Sequence, residues 1–404
     1  MKKNTLHYRN RFFLFFTGMV LFNLAANFAH PVTPTIIQER NLPDYMFGLM
    51  MAAMTFSNFL FSPFWGKLNT FVSSRQTLLI CCTGYGMAQL GFARAQGQWL
   101  ILLFRVLAGV FVGGIFVSFL TYVVNAARKE DQAKFLTYSA TIQAVCGAFG
   151  YLVGGVLGEF SIQGTFLLQA VILVASGLLF RAVCAEDAVA QRKLPVRKLL
   201  RQSNPLQAFW DGRQFLNLAF TFLFVLNILM NFGNTGFDQV FNFYLKDQLG
   251  LTSAYNGIIK AAVGLISFAC NMTLCLWIIR RTDTRRSMVA LAAFCAAAAV
   301  LTLAAPGTGS FLTSGVMLYA GYSVSLPVLQ DLAAREAEPE QKNLVMGFYN
   351  ATKNLGSILG SLMAGFFYTI HIRLPFAVVA AAYGLSILAA AGCLWSRRAG
   401  NRKR

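Results

Sequence analysis

Four ionisable side chains stand inside long apolar runs of the sequence: Arg105, Asp238, Lys260 and Lys353. A charge placed in hydrocarbon costs about 3 kcal/mol on insertion scales and more in simulation. It is kept where it carries a proton, meets a charged ligand or closes an ion pair. Asp238 lies in the polar run Asn231-Phe-Gly-Asn234-Thr-Gly-Phe-Asp238-Gln239. A carboxyl group buried there can load and release a proton near physiological pH. The same group could instead form a static pair with Lys260, or touch a substrate directly. Lys353, flanked by Asn350 and Asn354, needs a carboxylate, carbonyls, water or an anionic ligand. A cavity-lining role and a structural partner both satisfy it.

Uncharged polar residues recur at helical spacing around these four. Asn23, Asn27 and His30 are separated by four and three residues and share one helical face. Asn227, Asn231 and Asn234 form a comparable face. Both faces are expected to line a substrate cavity, together with Gln143. His30 could titrate near neutral pH or simply be hydrogen-bonded. Tyr138, Tyr319, Tyr322, Tyr349 and Tyr368 could line a site for an amphiphile. The chemistry of enzymes is missing: no phosphate-binding loop, H-E-x-x-H or G-x-S-x-G occurs. The eight cysteines make no C-x-x-C or Cys/His cluster. No catalytic residue, metal or cofactor is expected.

The elements that must hold these residues are membrane helices. Of 404 residues, 56% are hydrophobic and 12% charged, whereas a soluble chain has about 25% charged. The net charge of +19 sits in short clusters between apolar runs. That pattern belongs to cytoplasmic membrane loops and argues against nucleic acid. A spanning helix needs about 20 mostly apolar residues. Twelve candidates run near 11–32, 44–66, 75–93, 97–125, 134–159, 163–184, 214–245, 252–279, 287–305, 309–333, 343–370 and 374–396. With the N-terminus inside, the cytoplasmic segments hold 27 Lys and Arg. The outer loops hold four, Arg40, Arg94, Lys246 and Arg373. This split predicts a multi-pass protein with both termini cytoplasmic. Compact loops suggest a bacterial plasma membrane. The first run is too long for a signal peptide and lacks a small-residue cleavage site. On this topology Asp238 and Lys260 lie about 12 Å from the outer side, and Lys353 about 15 Å from the inner one.

The twelve spans divide into halves. Residues 1–184 form one six-helix bundle, 185–213 a cytoplasmic linker and 214–404 a second bundle. The linker carries Arg192, Lys193, Arg197, Lys198 and Arg201, and could lie on the anionic inner leaflet or be solvated. Before span 5 the chain reads Ala126-Ala127-Arg128, and before span 11 Ala333-Ala334-Arg335. Acidic residues and then Lys134 or Lys342 follow in each case. At an offset of 210, Gly150 falls on Gly360, Gly155 on Gly365, and Gln143 on Lys353. The expected fold class is therefore an all-α membrane protein, with twelve transmembrane helices in two pseudo-symmetric six-helix bundles. Transporters built this way bind substrate near the midplane.

Three motifs carry a family resemblance. In span 4, Arg105-Val-Leu-Ala-Gly109 resembles the motif R-x-x-x-G. In span 5, Gly150-Tyr-Leu-Val-Gly154-Gly155 resembles G-P-x-x-G-G, with Tyr151 in the place of the proline. Between spans 2 and 3, Ser62-Pro63-Phe-Trp-Gly66-Lys67-Leu68 resembles the start of a signature loop. There Thr70 stands for the family's Asp and Ser73-Ser74 for its Gly-Arg, while Arg75 remains of the basic end. The chain thus resembles the major facilitator superfamily along essentially its whole length, closest to the twelve-span drug:proton antiporter branch. The resemblance implies alternating access driven by a proton gradient. It implies a proton-transfer role for Arg105, beside the alternative of a hydrogen-bonding hub to helix carbonyls. It places Asp238 where several relatives carry an acid, and gives conformational roles to Gly66, Arg75, Gly109, Gly150, Gly154 and Gly155. Small residues let helices pack closely in lipid, so the span 5 glycines read as a packing seam or as one that slides.

Charge narrows the cargo. Three cations and one acid stand at mid-depth, whereas a desolvated lipophilic cation needs a counter-charge. The expected function is proton-coupled transport of a small neutral, zwitterionic or anionic molecule, amphiphilic in some cases, with efflux by antiport. An uptake symporter, a cationic multidrug exporter and a lipid flippase are the alternatives. The partners are substrate, protons and the bilayer, with no nucleic acid, and a monomer is expected.

Overall fold

The computed structural model describes residues 2–186, 203–204, 206–211, 216–338 and 341–401. Among them the chain forms twelve long helical stretches in the predicted order. A backbone in hydrocarbon must satisfy its own N–H and C=O groups, which helices do within one segment. Ten of the stretches are long and apolar enough to cross a membrane. The other two are span 3, Ser74–Arg94, and span 11, Lys342–Ile370. Both carry more polar residues: span 3 buries Thr77 and Gln89, and span 11 holds Asn350, Lys353 and Asn354. The linker's basic residues, Arg192, Lys193, Arg197, Lys198 and Arg201, lie outside the described residues.

Span 1 is longer than predicted and broken. It consists of Lys2–Ala26 and Ala29–Glu39. Pro31 accounts for the break, since it has no N–H to donate to the preceding turn, while Pro34 lies inside the second piece. The Asn27 carbonyl, which Pro31 cannot serve, accepts from His30 N at 3.4 Å. Span 8 is also irregular, running as Ser253–Cys270, a π-helical turn Asn271–Cys275 and Leu276–Arg281.

The chain forms two compact units. The first comprises Met1–Leu42, Ala53–Pro205 and Gly250–Gly264, the second Pro43–Ala52, Leu206–Leu249 and Leu265–Arg404. Two short segments, residues 43–52 and 250–264, belong to units that hold neither of their flanking helices in full, and glycines explain both. A Cβ on Gly48 would stand 2.1 Å from the Ser361 carbonyl oxygen, so residues 43–52 pack on span 11. A Cβ on Gly257 would stand 2.6 Å from the Tyr151 carbonyl oxygen, so the start of span 8 packs on span 5. Only hydrogen at those positions permits the approach.

Candidate functional site

In the second unit the site is built on three helices: span 7 (Leu218–Asp247), span 10 (Thr308–Glu336) and span 11. Asn217 starts span 7, its Oδ1 accepting from Phe220 N at 3.0 Å. Spans 7 and 11 run parallel at close range. A Cβ on Gly356 would lie 2.4 Å from the Ile228 carbonyl oxygen, and one on Gly360 2.3 Å from that of Phe232. This contact brings two polar faces together in a ladder. Asn227, fully buried, donates from Nδ2 to the Tyr349 carbonyl at 2.8 Å and to Thr352 Oγ1 at 2.9 Å. Asn231 Nδ2 donates to the Asn227 carbonyl and to Asn227 Oδ1, at 2.8 and 2.9 Å. Thr235 and Ser357 hydroxyls meet at 3.1 Å.

Span 10 closes the ladder with two tyrosines one turn apart. Tyr322 donates to Asn231 Oδ1 at 2.7 Å. Tyr319 donates to Asp238 Oδ1 at 2.9 Å, and Gln239 Nε2 reaches Asp238 Oδ2 at 3.4 Å. The predicted residues Asn227, Asn231 and Asp238 are therefore gathered, while Asn234 stands half-buried beside them. The sequence offered Tyr319 and Tyr322 only as aromatic lining. Their spacing of three residues was the available sign that both would face one partner helix.

Lys353 is half-buried. It makes no ion pair or hydrogen bond among the described residues. It shares a helical face with Asn350 and Ser357, one turn to either side. The exposed apolar stripe Leu355, Leu359 and Phe366 lies on another side of the helix, so the polar face is distinct from the one offered to lipid. Asn350 on that face is exposed. By the register of spans 7 and 11, Lys353 is level with Asn227, and Asp238 lies about 15 Å further along.

The first unit holds the other predicted residues. Asn23 and Asn27 spend their amide groups on their own helix, on the Met19 and Asn23 carbonyls, each at 2.8 Å. His30 stacks on Tyr151, with ring centroids 5.2 Å apart and planes 10° from parallel. The Lys260 ammonium lies 5.8 Å from the centroid of the same ring. Tyr151, the residue at the family's proline position, thus connects spans 1, 5 and 8. Gln143 is half-buried. Lys260 belongs to the first unit and Asp238 to the second.

Arg105 is 4% exposed. Its Nη2 donates to Thr33 Oγ1 at 3.1 Å, and its guanidinium lies 3.7 Å over the Phe92 ring. Its Nε has no hydrogen-bond partner, and no carboxylate pairs with it among the described residues. Phe92 is itself pinned, because Arg40 Nη1 donates to its carbonyl at 3.2 Å. No sequence pattern pointed to Thr33, 72 residues from Arg105, or to Phe92 on the preceding helix.

The motif glycines fall into two kinds. A Cβ would stand 2.1 Å from the Met54 carbonyl oxygen at Gly109, and 2.4 Å from that of Leu24 at Gly150. At Gly154 it would stand 2.4 Å from Phe28 backbone, and at Gly155 2.4 Å from the Ser253 carbonyl oxygen. Gly66 differs, with nothing closer than Val117 Cγ1 at 3.7 Å. At the signature loop Arg75 pairs with Glu186 at 2.5 Å, and Asn69 donates to Ser118 Oγ at 3.0 Å.

Comparison with known proteins matches this architecture to the Major Facilitator Superfamily over residues 14–335 and 277–404. Multidrug resistance protein 2 of Bacillus subtilis is 19% identical, over 93% of this chain and 93% of that protein. A bacterial homologue of the human lysosomal transporter Spinster superposes with a TM-score of 0.78 at 12% identity, covering 98% of each chain. The human organic anion transporter MFSD10 superposes with a TM-score of 0.68 at 16% identity, covering 95% of this chain and 99% of that one.

Proposed function

The chain belongs to the Major Facilitator Superfamily, whose members transport rather than catalyse, and we propose that this one is a proton-coupled exporter in a bacterial plasma membrane. It exchanges protons for a small neutral, zwitterionic or anionic molecule by alternating access. Asp238 carries the proton. Lys260 and Arg105 assist proton movement. In the second unit the polar faces of spans 7 and 11 bind the cargo, and in the first unit Asn23, Asn27, His30 and Gln143 are assigned to cargo binding.

One observation supports this reading above the others. Asp238 sits at membrane depth in an ordered set of hydroxyl and amide donors, Tyr319 and Gln239. Such a site can hold the acid in one position in both charge states. The efflux direction is supported by drug-resistance relatives at low identity. The fold similarity to MFSD10, an organic anion transporter, is compatible with an anionic cargo.

The test is substrate-induced proton movement in liposomes containing the purified protein and an interior pH dye. Anionic, zwitterionic, neutral and cationic compounds are compared, each repeated with Asp238→Asn. Proton flux with anionic or neutral compounds, lost in the variant, is expected. Active accumulation unchanged by Asp238→Asn would remove the acid from the mechanism, and flux with cations alone would restore a cationic multidrug exporter. Tags at both termini should be reachable only from the cytoplasm.

A further inference from the structure

We propose that Lys353 is the anion-binding point of the substrate site, and that the cargo is a small organic monoanion whose carboxylate it holds. This rests on the transport reading above and narrows it from three charge classes to one.

Depth is the first argument. Lys353 stands about 16 Å along the helix Lys342–Ile370, too deep for its ammonium to reach water by extending along the helix. The absence of a counter-charge is the second. Lys353 has no ion pair or hydrogen bond among the described residues. The mid-depth acid of the same unit, Asp238, lies about 15 Å away along span 7. A cation at that depth without a partner is unstable unless a ligand completes it.

The surroundings fit a carboxylate. Asn350 and Ser357 flank Lys353 on one face and can donate from an amide and a hydroxyl. Thr352 and Asn227 beside it are bonded to each other, so they fix the helices rather than compete for the ligand. A lysine is a compact point charge, which balances a monoanion, whereas a dianion would leave one buried negative charge without a partner. A zwitterion is disfavoured, because its cation would lie a few ångströms from Lys353 and far from Asp238. The first half carries Gln143 at the position matching Lys353, so this position of the repeat is charged in the second half alone.

Thermal unfolding of the purified protein tests this without a proton gradient. The probes are octanoate, benzoate and 2-naphthoate, each beside its primary amide and the corresponding amine. At least one carboxylate should raise the wild-type melting temperature, while amides and amines should not. Lys353→Met should lose that response, with half-saturation at least tenfold weaker, and Lys353→Arg should keep part of it. Ligand-free Lys353→Met should melt no lower than wild type, because it removes an unpaired charge. A fall of more than about 5 °C would mean a structural partner and overturn the proposal. So would a carboxylate response that survives in Lys353→Met, a wild type answering to amines or amides instead, or one answering to none of the three carboxylates. Lost proton coupling with retained carboxylate binding would overturn only the transport reading. Retained coupling without carboxylate binding would overturn only this one.

Discussion

Replacing Arg105 by methionine separates a working charge from a structural one. The loss can be worked out from its contacts. The hydrogen bond to Thr33 at 3.1 Å is worth about 1.5–3 kcal/mol for a charged donor. The stacking over Phe92 at 3.7 Å adds about 1–2 kcal/mol. Against these stands the desolvation of a guanidinium, several kcal/mol, and a buried Nε without a partner, about 1–3 kcal/mol. The two sides nearly cancel. Arg105→Met should therefore lie within about 2 kcal/mol of wild type in stability, since methionine refills the apolar space beside Phe92. Thermal unfolding and denaturant titration of the purified variant measure this, and proton flux in liposomes measures function. A stability loss above about 3 kcal/mol, the usual cost of breaking a compensated buried charge, would refute the reasoning and make Arg105 a hub. Normal stability with normal flux would refute any role for it in transport.

Other perturbations have equally direct outcomes. Tyr151→Phe keeps the ring that meets His30 and Lys260 and should transport nearly normally. Tyr151→Ala should lose about 1–2 kcal/mol of contact and slow flux roughly tenfold, and equal rates in the two would dismiss the ring. Gly154→Ala puts a methyl 2.4 Å from Phe28 backbone and should cost about 1–3 kcal/mol, whereas Gly66→Ala should be neutral. Melting temperatures of the pair decide this, with equal values counting against the packing argument. If Asp238 and Lys260 form a static pair, Asp238→Asn combined with Lys260→Gln should recover stability and flux better than either change alone. A breakable pair predicts recovered stability with coupling still lost.

The fold was legible because hydropathy and loop charge report directly on membrane crossing. Span 11 was found despite its polar residues because its apolar run is long, and the match of its flanking loop to that of span 5 agreed with it. The break in span 1 was foreshadowed by Pro31, but the extension to Glu39 was not, since residues 33–39 are less apolar than the core of the run. The polar faces of span 7 and span 1 were visible as helical spacing. Their partners were not: Tyr322 lies 91 residues from Asn231, and Thr33 lies 72 from Arg105. Such contacts depend on which helices become neighbours, which a hydropathy pattern leaves open. The substitution at Tyr151 was visible as a departure from a motif. Its stacking on His30 depends on how far span 1 approaches span 5, a distance set by Gly150 and Gly154.

The separation of Asp238 from Lys353 has an energetic consequence for the transport cycle. A proton carried on one and a monoanion held on the other can load independently, since charges about 15 Å apart interact weakly where water penetrates. Exchange of one entering proton for one leaving monoanion then moves two charges per cycle in the same electrical sense. At 100 mV each charge contributes about 2.3 kcal/mol, so the membrane potential alone supplies about 4.6 kcal/mol. That equals roughly three powers of ten in cargo gradient. Symport of the same two species moves no net charge and gains nothing from the potential. Liposomes clamped with valinomycin and a potassium gradient, at equal pH on both sides, distinguish these. Antiport predicts carboxylate efflux that accelerates with interior-negative potential and is accompanied by interior acidification. A rate independent of the clamp would exclude one-for-one exchange of a monoanion and favour symport, because no arrangement of Asp238 and Lys353 makes that exchange electroneutral.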